Sequence, residues 1–339
     1  MSPRSKKKKQ RATSFLREHG RWIGPSVYFI GLGTFTYLFG VPTARDKVLI
    51  WILLGLLAFS LTDLRRLGRG LVYDWAPFIA LLFFYDILRG RADKMLFSAH
   101  TWPQLHADQW LGAGHVPTVW LQAHLWHGAA SIRWYDYALW FVYLTHFFAT
   151  LLVAALLWAL RPKRFRRYAA SVITLAMLGF TTYALFPAVP PWMASERGNL
   201  PPLQRIIAVV WEHIPVSAMS PLFERGVHYS NNVAAMPSLH AAYAMLIAIF
   251  FWKGARWYWR IPLAVYPLAM GLALVYTAEH YLTDVIAGWI YAVAAYVIVV
   301  RVDDRLERRR EHRRLVTSIR EPLPEDAVAA GELDADLVG

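Results

Sequence analysis

The chain has 339 residues, of which 57% are hydrophobic and 17% charged, and its formal net charge is +13. Soluble domains carry about a quarter charged residues, so this composition excludes an ordinary water-facing surface. The 16 tryptophans, 17 tyrosines and 18 phenylalanines are typical of the aromatic belts at membrane interfaces. The absence of cysteine excludes disulfides, thiol catalysis and cysteine-ligated metals. We therefore predict an all-α, polytopic membrane helical bundle.

About eight segments approach the length of some 20 apolar residues that a membrane helix requires. They lie near 23–43, 47–63, 71–89, 134–160, 168–187, 237–253, 260–279 and 281–301. This division predicts a basic tail over 1–22, a transmembrane catalytic domain over 23–301 and a second tail over 302–339. The end of the second tail is acidic and rich in Ala and Gly, so we expect it to be disordered.

Short basic blocks separate the predicted spans and indicate their orientation. If the spans alternate in direction, all of the blocks fall on one side of the membrane, which the positive-inside rule makes the cytoplasm. The blocks lie at 6–9, 65–69, 161–167, 253–260 and 305–314. Both termini are then cytoplasmic, and we expect a bacterial plasma membrane. Basic loops beside anionic lipid explain these charges better than nucleic-acid binding does.

Two long segments, 90–133 and 188–236, then lie outside the membrane. The first is rich in Trp and His and the second in Pro, which favours segments lying on the membrane surface over disorder. Their histidines have no tight ligand spacing, so we predict no metal site. Polar residues within or beside the spans either line a polar cavity or make satisfied buried hydrogen bonds. These are Asp74, Asp86, Asp136 and His146.

Two short strings carry the chemistry, and span alternation places them at the same membrane face. Span six begins at Pro237-Ser238-Leu239-His240, and span seven returns to His280-Tyr281-Leu282-Thr283-Asp284. Pro237 suits the first turn of a helix. The following backbone N–H groups and the Ser238 hydroxyl predict an anion site at the positive end of that helix.

The titratable residues of the two strings suit phosphoryl transfer. His240 can donate a proton to a departing oxygen. His280 and Asp284 are four residues apart and share a face on a helix. A carboxylate bonded to one imidazole nitrogen fixes the tautomer and leaves the other nitrogen as a nucleophile. A structural histidine and a plain hydrogen-bonded pair are the alternatives, but both strings at one face favour a site.

PSLH followed by HYLTD resembles the type 2 phosphatidic acid phosphatase (PAP2) superfamily, especially its inositol phosphorylceramide synthase branch. The Pro-rich stretch 186–192 is also similar to that branch. The resemblance covers about 134–301 well and 85–133 loosely. It implies a helical bundle and chemistry on lipid phosphates without metal or cofactor. It also implies that His280 is the nucleophile, Asp284 its orienting carboxylate and His240 the general acid.

The sequence departs from the broader family pattern in the residues that would bind phosphate. The family's third motif begins Ser-Arg, but Ala278 and Glu279 stand just before His280. The family's first motif has no clear match. We therefore expect the cationic clamp to come from the outer segments. The first candidates are Arg89, Arg91 and Lys94, and the second group is Arg197, Arg225 and His228.

The expected substrate is a lipid or lipid-linked phosphate. Transfer of the phosphoryl group to water would make a phosphatase, and transfer to an alcohol such as inositol or a sugar would make a transferase. The branch resemblance favours transfer. The alternatives are a polyprenyl phosphate or diphosphate phosphatase in envelope synthesis and a non-catalytic lipid transporter or scaffold. The intact set of His240, His280 and Asp284 argues against the transporter.

Overall fold

The computed structural model describes residues 23–40, 45–60, 64–92, 97–214 and 233–320, which are mostly helical. The helices are α1 Ile23–Phe39, α2 Arg45–Phe59, α3 Leu64–Gly70, α4 Ala76–Ala92, α5 Trp102–Leu111, α6 Pro117–Leu125, α7 Trp134–Leu160, α8 Pro162–Leu185, α9 Pro191–Glu196, α10 Ile206–His213, α11 Leu239–Trp252, α12 Trp257–Tyr276 and α13 Leu282–Arg320. A π-helical turn, Leu71–Trp75, joins α3 to α4. Within the described ranges, β pairing is limited to isolated bridges of Ala188 with His100 and Ala234. The all-α prediction is confirmed.

Each predicted span coincides with an apolar helix. Among the described residues, five helical stretches are long and apolar enough to cross a membrane: Leu67–Tyr85, α7, α8, α12 and Leu282–Arg313. The helices α1, α2 and α11 are apolar but shorter. The number of crossings therefore remains a prediction.

Helix α11 packs against α7, α8 and α12. Its buried face carries small residues, including Ala241, Ala242, Ala244 and Ala248. Small side chains let neighbouring helix backbones approach closely, which favours van der Waals packing in a membrane. Since α11 begins at Leu239, this packing fixes the first turn that carries His240.

The two segments predicted to lie outside the membrane contact each other and the helix ends. The Val189 N–H donates to the His100 carbonyl at 2.9 Å, and the Gln204 N–H donates to the Gln122 side-chain oxygen at 2.9 Å. The Gln122 side-chain amide donates to the Tyr276 carbonyl, at the end of α12, at 2.9 Å. The described parts of both segments therefore belong to the folded structure, and the position of the segments at the membrane surface remains a prediction.

The chain divides into two compact units. The first extends to Tyr296 and contains the helices packed around α11. The second begins at Val297, and its described part is helical with mostly exposed charged side chains. The predicted tails at 1–22 and 321–339 lie outside the described residues, and the domain boundaries remain predictions.

Helix α13 comes very close to the start of α11 at Gly288. A Cβ atom at this position would lie 2.3 Å from the Ser238 carbonyl oxygen. The Ser238 N–H also donates to the Asp284 carbonyl at 2.9 Å. The missing side chain of glycine therefore permits the approach that joins the two helix starts.

We expect Gly288→Ala to destabilise the protein by about 1–3 kcal/mol, because a methyl group there overpacks against backbone. The measurement is the thermal unfolding midpoint of the purified protein in detergent. Gly33→Ala is the control, since nothing lies within 4 Å of its added methyl group. Equal midpoints for the two variants would contradict the close approach.

Candidate active site

His280 lies in a tight turn that ends α12. The Glu279 N–H donates to the Leu274 carbonyl at 3.0 Å, and the Ala278 N–H donates to the Val275 carbonyl at 3.3 Å. Ala278 is left-handed, with φ of 63°. These features define a Schellman motif. The predicted continuation of the span to residue 279 is therefore wrong, because this turn ends the helix earlier and directs His280 out of it.

Asp284 lies beside the His280 ring. The His280 Nδ1 atom is 3.5 Å from the Asp284 Oδ2 atom, and both side chains are buried. The Tyr281 N–H donates to the same carboxylate oxygen at 3.0 Å. Since 3.5 Å is long for an N–H···O hydrogen bond, the two side chains are adjacent without a completed bond. The Nδ1 atom faces the carboxylate, which leaves Nε2 on the other side of the ring.

His240 reaches that other side from the first turn of α11. Its Nδ1 atom is 3.4 Å from the His280 Nε2 atom. The Tyr143 ring stacks on His240 with centroids 5.3 Å apart, and the His146 ring centroid is 3.8 Å away. The structure thus brings His240, His280 and Asp284 together. It also places His146 against the site, a position that the sequence left open.

Ser238 caps α11. Its side chain is fully buried and accepts a hydrogen bond from the Ala241 N–H at 3.3 Å. The helix begins at Leu239, so Pro237 precedes the cap and does not lie in the first turn as predicted. One N–H group at this helix start is thus satisfied by Ser238. A role for Ser238 in binding phosphate remains a prediction.

Asp108 was not identified from the sequence. Its fully buried carboxylate accepts hydrogen bonds from the Leu282 N–H at 2.9 Å and from the Thr283 N–H at 2.8 Å. The Thr283 hydroxyl donates to it as well. Burial raises the pKa of the Asp108 carboxyl, and the hydrogen bonds from Thr283 and Leu282 act in the opposite direction. Asp108 therefore accepts the free N–H groups at the positive end of α13, which begins between His280 and Asp284.

The structure describes only some of the cationic side chains that the sequence predicted near the phosphate. The backbone of Arg89 and Arg91 lies at the end of α4. Their side chains lie outside the described residues, as do Lys94, Arg225 and His228. Arg197 is exposed at the end of α9. Their roles as a clamp therefore remain predictions.

A different arginine binds the residue directly before His280. Arg205 donates from Nε and Nη2 to the two carboxylate oxygens of Glu279, at 2.7 Å and 3.0 Å. Burial by itself would lower the pKa of Arg205, but the Glu279 carboxylate outweighs it and raises this pKa. No spacing in the sequence relates Arg205 to His280.

The sequence left two roles open for the polar residues within or beside the spans, a polar cavity or a satisfied hydrogen bond. The two carboxylates of that set that the structure describes make hydrogen bonds. Asp136 accepts from the Tyr276 hydroxyl at 2.6 Å and from the Arg133 N–H at 2.7 Å. Asp74 accepts from the Trp158 indole and from Arg166, each at 3.1 Å. Asp136 and Asp74 thus fit the hydrogen-bonded alternative. The Asp86 side chain lies outside the described residues.

Comparison with known proteins places the chain in a family. The model of the PAP2 superfamily matches residues 105–298, more than half of the chain, so the chain belongs to this superfamily. With its apolar helices, it is an integral membrane protein. The match begins at residue 105 and so includes α6 and most of α5, which the sequence resemblance covered only loosely.

A phosphoinositol dihydroceramide synthase from Bacteroides thetaiotaomicron is 30% identical to the chain over 132 residues. The aligned region covers 37% of this chain and 42% of that relative, so the chain spans less than half of the relative's length. No solved structure gives a significant match.

We expect Asp108→Ala to lower stability by about 1–3 kcal/mol, because it leaves buried N–H groups of α13 without an acceptor. Thermal unfolding in detergent measures the effect. Thr283→Val is the matched control, since it removes only the hydroxyl and retains both backbone bonds to Asp108. Its midpoint should fall less, and equal losses would show that capping of α13 is not what Asp108 contributes.

Proposed function

We propose that the protein is a metal-independent phosphotransferase or phosphatase that acts on a lipid or lipid-linked phosphate through a phosphohistidine. The observation that carries this proposal is that the His280 ring lies between Asp284 and His240. The Nδ1 atom of His280 is 3.5 Å from Asp284, and its Nε2 atom is 3.4 Å from His240. Membership of the PAP2 superfamily supports the same class of reaction.

In the first step, the Nε2 atom of His280 attacks phosphorus. An N–P bond forms while the P–O bond to the leaving group breaks. Protonated His240 gives its proton to the departing oxygen. The Nδ1–H of His280 points to Asp284, whose negative charge stabilises the ring as it becomes positive.

In the second step, water or an alcohol attacks the phosphohistidine. Neutral His240 accepts the proton of the attacking hydroxyl, and the N–P bond breaks to restore His280. Water yields free phosphate, and an alcohol yields a new phosphoester. Both outcomes use the same residues, so the acceptor site decides between a phosphatase and a transferase.

Binding of substrate requires a small rearrangement of the two histidine rings. A phosphoryl group does not fit between nitrogen atoms that are 3.4 Å apart, so substrate must separate the His240 and His280 rings. The contact of His280 with Asp284 then shortens to a hydrogen bond. Such tightening is common, since catalytic hydrogen bonds in empty sites are often long or poorly aligned.

Two further observations support a class of substrate and a side of the membrane for the proposed reaction. The similarity to the phosphoinositol dihydroceramide synthase of Bacteroides thetaiotaomicron favours a phosphoinositol group transferred to or from a lipid. The alternation of spans and basic blocks favours an extracytoplasmic site in a bacterial plasma membrane, with both termini in the cytoplasm. For transfer of a bare phosphoryl group, inositol or another polyol or sugar is the proposed acceptor.

A substrate panel tests the reaction class. Purified protein is incubated with phosphatidic acid, phosphatidylinositol, a phosphorylceramide and a polyprenyl diphosphate, each with and without inositol. We expect turnover of at least one lipid phosphate, with inositol phosphate formed in place of free phosphate when inositol is present. Phosphate release from the polyprenyl diphosphate alone would favour a phosphatase of envelope synthesis. No turnover of any of them would refute the proposal.

Two histidine variants test the roles. His280→Ala should abolish turnover and the phosphoenzyme, because it removes the nucleophile. His240→Ala should slow departure of the leaving group by about 10²–10⁴-fold, the usual contribution of a general acid. The measurement is trapping of labelled enzyme from labelled lipid phosphate at alkaline quench, where phosphohistidine survives. A phosphoenzyme of normal yield in His280→Ala would exclude His280 as the nucleophile.

A further inference from the structure

Arg205 is held at the junction of three segments. It lies immediately before α10 and pairs through two nitrogens with Glu279, which follows α12. Its guanidinium carbon is 4.8 Å from the centre of the Trp192 ring, in α9. The Trp192 N–H donates to the Ala278 carbonyl at 3.2 Å. The guanidinium is thus fixed by a carboxylate on one edge and an aromatic face on one side.

This junction adjoins the histidine site. Glu279 is the residue directly before His280 in the turn that positions the ring. On the other side, Tyr143 stacks on His240 and lies within electrostatic range of both Arg205 and Glu279. Arg205 thus binds the residue next to His280, and its charge acts on the tyrosine that packs against His240.

Arg205 retains capacity to bind an anion. A guanidinium group carries five N–H donors in a planar fork that matches carboxylate and phosphate oxygens. Glu279 occupies the edge formed by Nε and Nη2, and the donors on Nη1 lie beyond that edge. The Arg205 side chain is 28% exposed, whereas the Glu279 side chain is 9% exposed. The arginine is thus accessible from outside, while the carboxylate that holds it is covered.

The described residues contain a second arginine–carboxylate ion pair, which is more exposed and belongs to a different helix. Arg166 binds Asp74 while its own side chain is 75% exposed. It belongs to the start of α8, in one of the basic blocks that follow a span. Phosphoryl transfer depends largely on cations that bind the equatorial oxygens. Among the described residues, Arg205 is the arginine whose ion pair adjoins His280.

We propose that Arg205 is the cation that binds the phosphoryl oxygens during the reaction, with Glu279 as the residue that orients it. This inference rests on the function proposed above and names a residue for it. It also assigns the missing clamp to a residue of the outer segment 188–236 that was not among the candidates named from the sequence. Glu279 positions the guanidinium, and the donors on Nη1 bind the phosphate beside His280.

The test separates phosphate binding from simple support of the fold. Arg205→Gln alone leaves the covered Glu279 charge without a partner, which would impair the site in either case. The double variant Arg205→Gln/Glu279→Gln removes both charges together and lets two amides face each other. If the ion pair only supports the fold, the double variant should recover wild-type behaviour. If Arg205 binds phosphate, the double variant should not recover wild-type behaviour.

Two measurements are made on full-length protein in detergent. The first is turnover of the best lipid phosphate from the substrate panel, which we expect to fall about 100-fold in the double variant, as when one oxyanion donor is lost. The second is the Kd of inorganic phosphate by calorimetry, which we expect to rise about tenfold or more. Arg205→Lys retains the charge without the fork and should lie between the double variant and wild type.

Arg260→Gln is the matched control. Arg260 also stacks on a tryptophan, with its guanidinium carbon 5.7 Å from the Trp252 ring centre, but it lies in the first turn of α12. The length of that helix separates it from Glu279 by about 30 Å. Its turnover and phosphate Kd should match wild type, and the thermal midpoints of all variants are compared.

The outcomes distinguish the two proposals. A double variant with wild-type turnover or unchanged phosphate Kd would overturn the role of Arg205 and leave the proposed function standing. Wild-type protein that binds phosphate in an Arg205-dependent manner but turns over no lipid phosphate would refute the proposed function and retain the anion site. Wild-type protein that does not bind phosphate would overturn the anion site.

Discussion

The buried start of α13 must satisfy its backbone N–H groups, and the site depends on how it does so. Asp108 accepts the N–H groups of Leu282 and Thr283, and Asp284 accepts that of Tyr281. These bonds determine where the helix begins. Since His280 lies just before that start, they also determine which ring nitrogen faces Asp284. A carboxylate from a distant segment thus fixes the geometry of His280.

Close approach between helix backbones positions His240, the second histidine of the site. Gly288 lets α13 lie against Ser238, and the alanines of α11 let α7, α8 and α12 pack around it. His240 is therefore carried on a helix whose first turn cannot shift independently of α13. Two residues that are 40 positions apart in the chain meet through their ring nitrogens as a result.

The charges around the histidines explain why a cation is needed. Asp108, Glu279 and Asp284 are all buried near the turn that holds His280. The α13 N–H groups offset the charge of Asp108, and Arg205 offsets that of Glu279. A phosphate group entering this environment would be repelled by uncompensated carboxylates. The ion pair and the helix start therefore reduce the negative charge around His280, which the proposed binding of phosphate requires.

Periodicity, charge alternation and short spacing were enough to determine the helical class, the apolar helices and the set of His240, His280 and Asp284. Local rules apply there, because a helix repeats every 3.6 residues and alternate spans return to one face. The tertiary structure alone decided the contacts of Asp108 and Arg205, and it placed His146 against His240. Asp108 bonds to a residue 174 positions away, and Arg205 to one 74 positions away. Contacts over such separations leave no periodic signal, because they arise only when the chain folds its outer segments onto the helix ends.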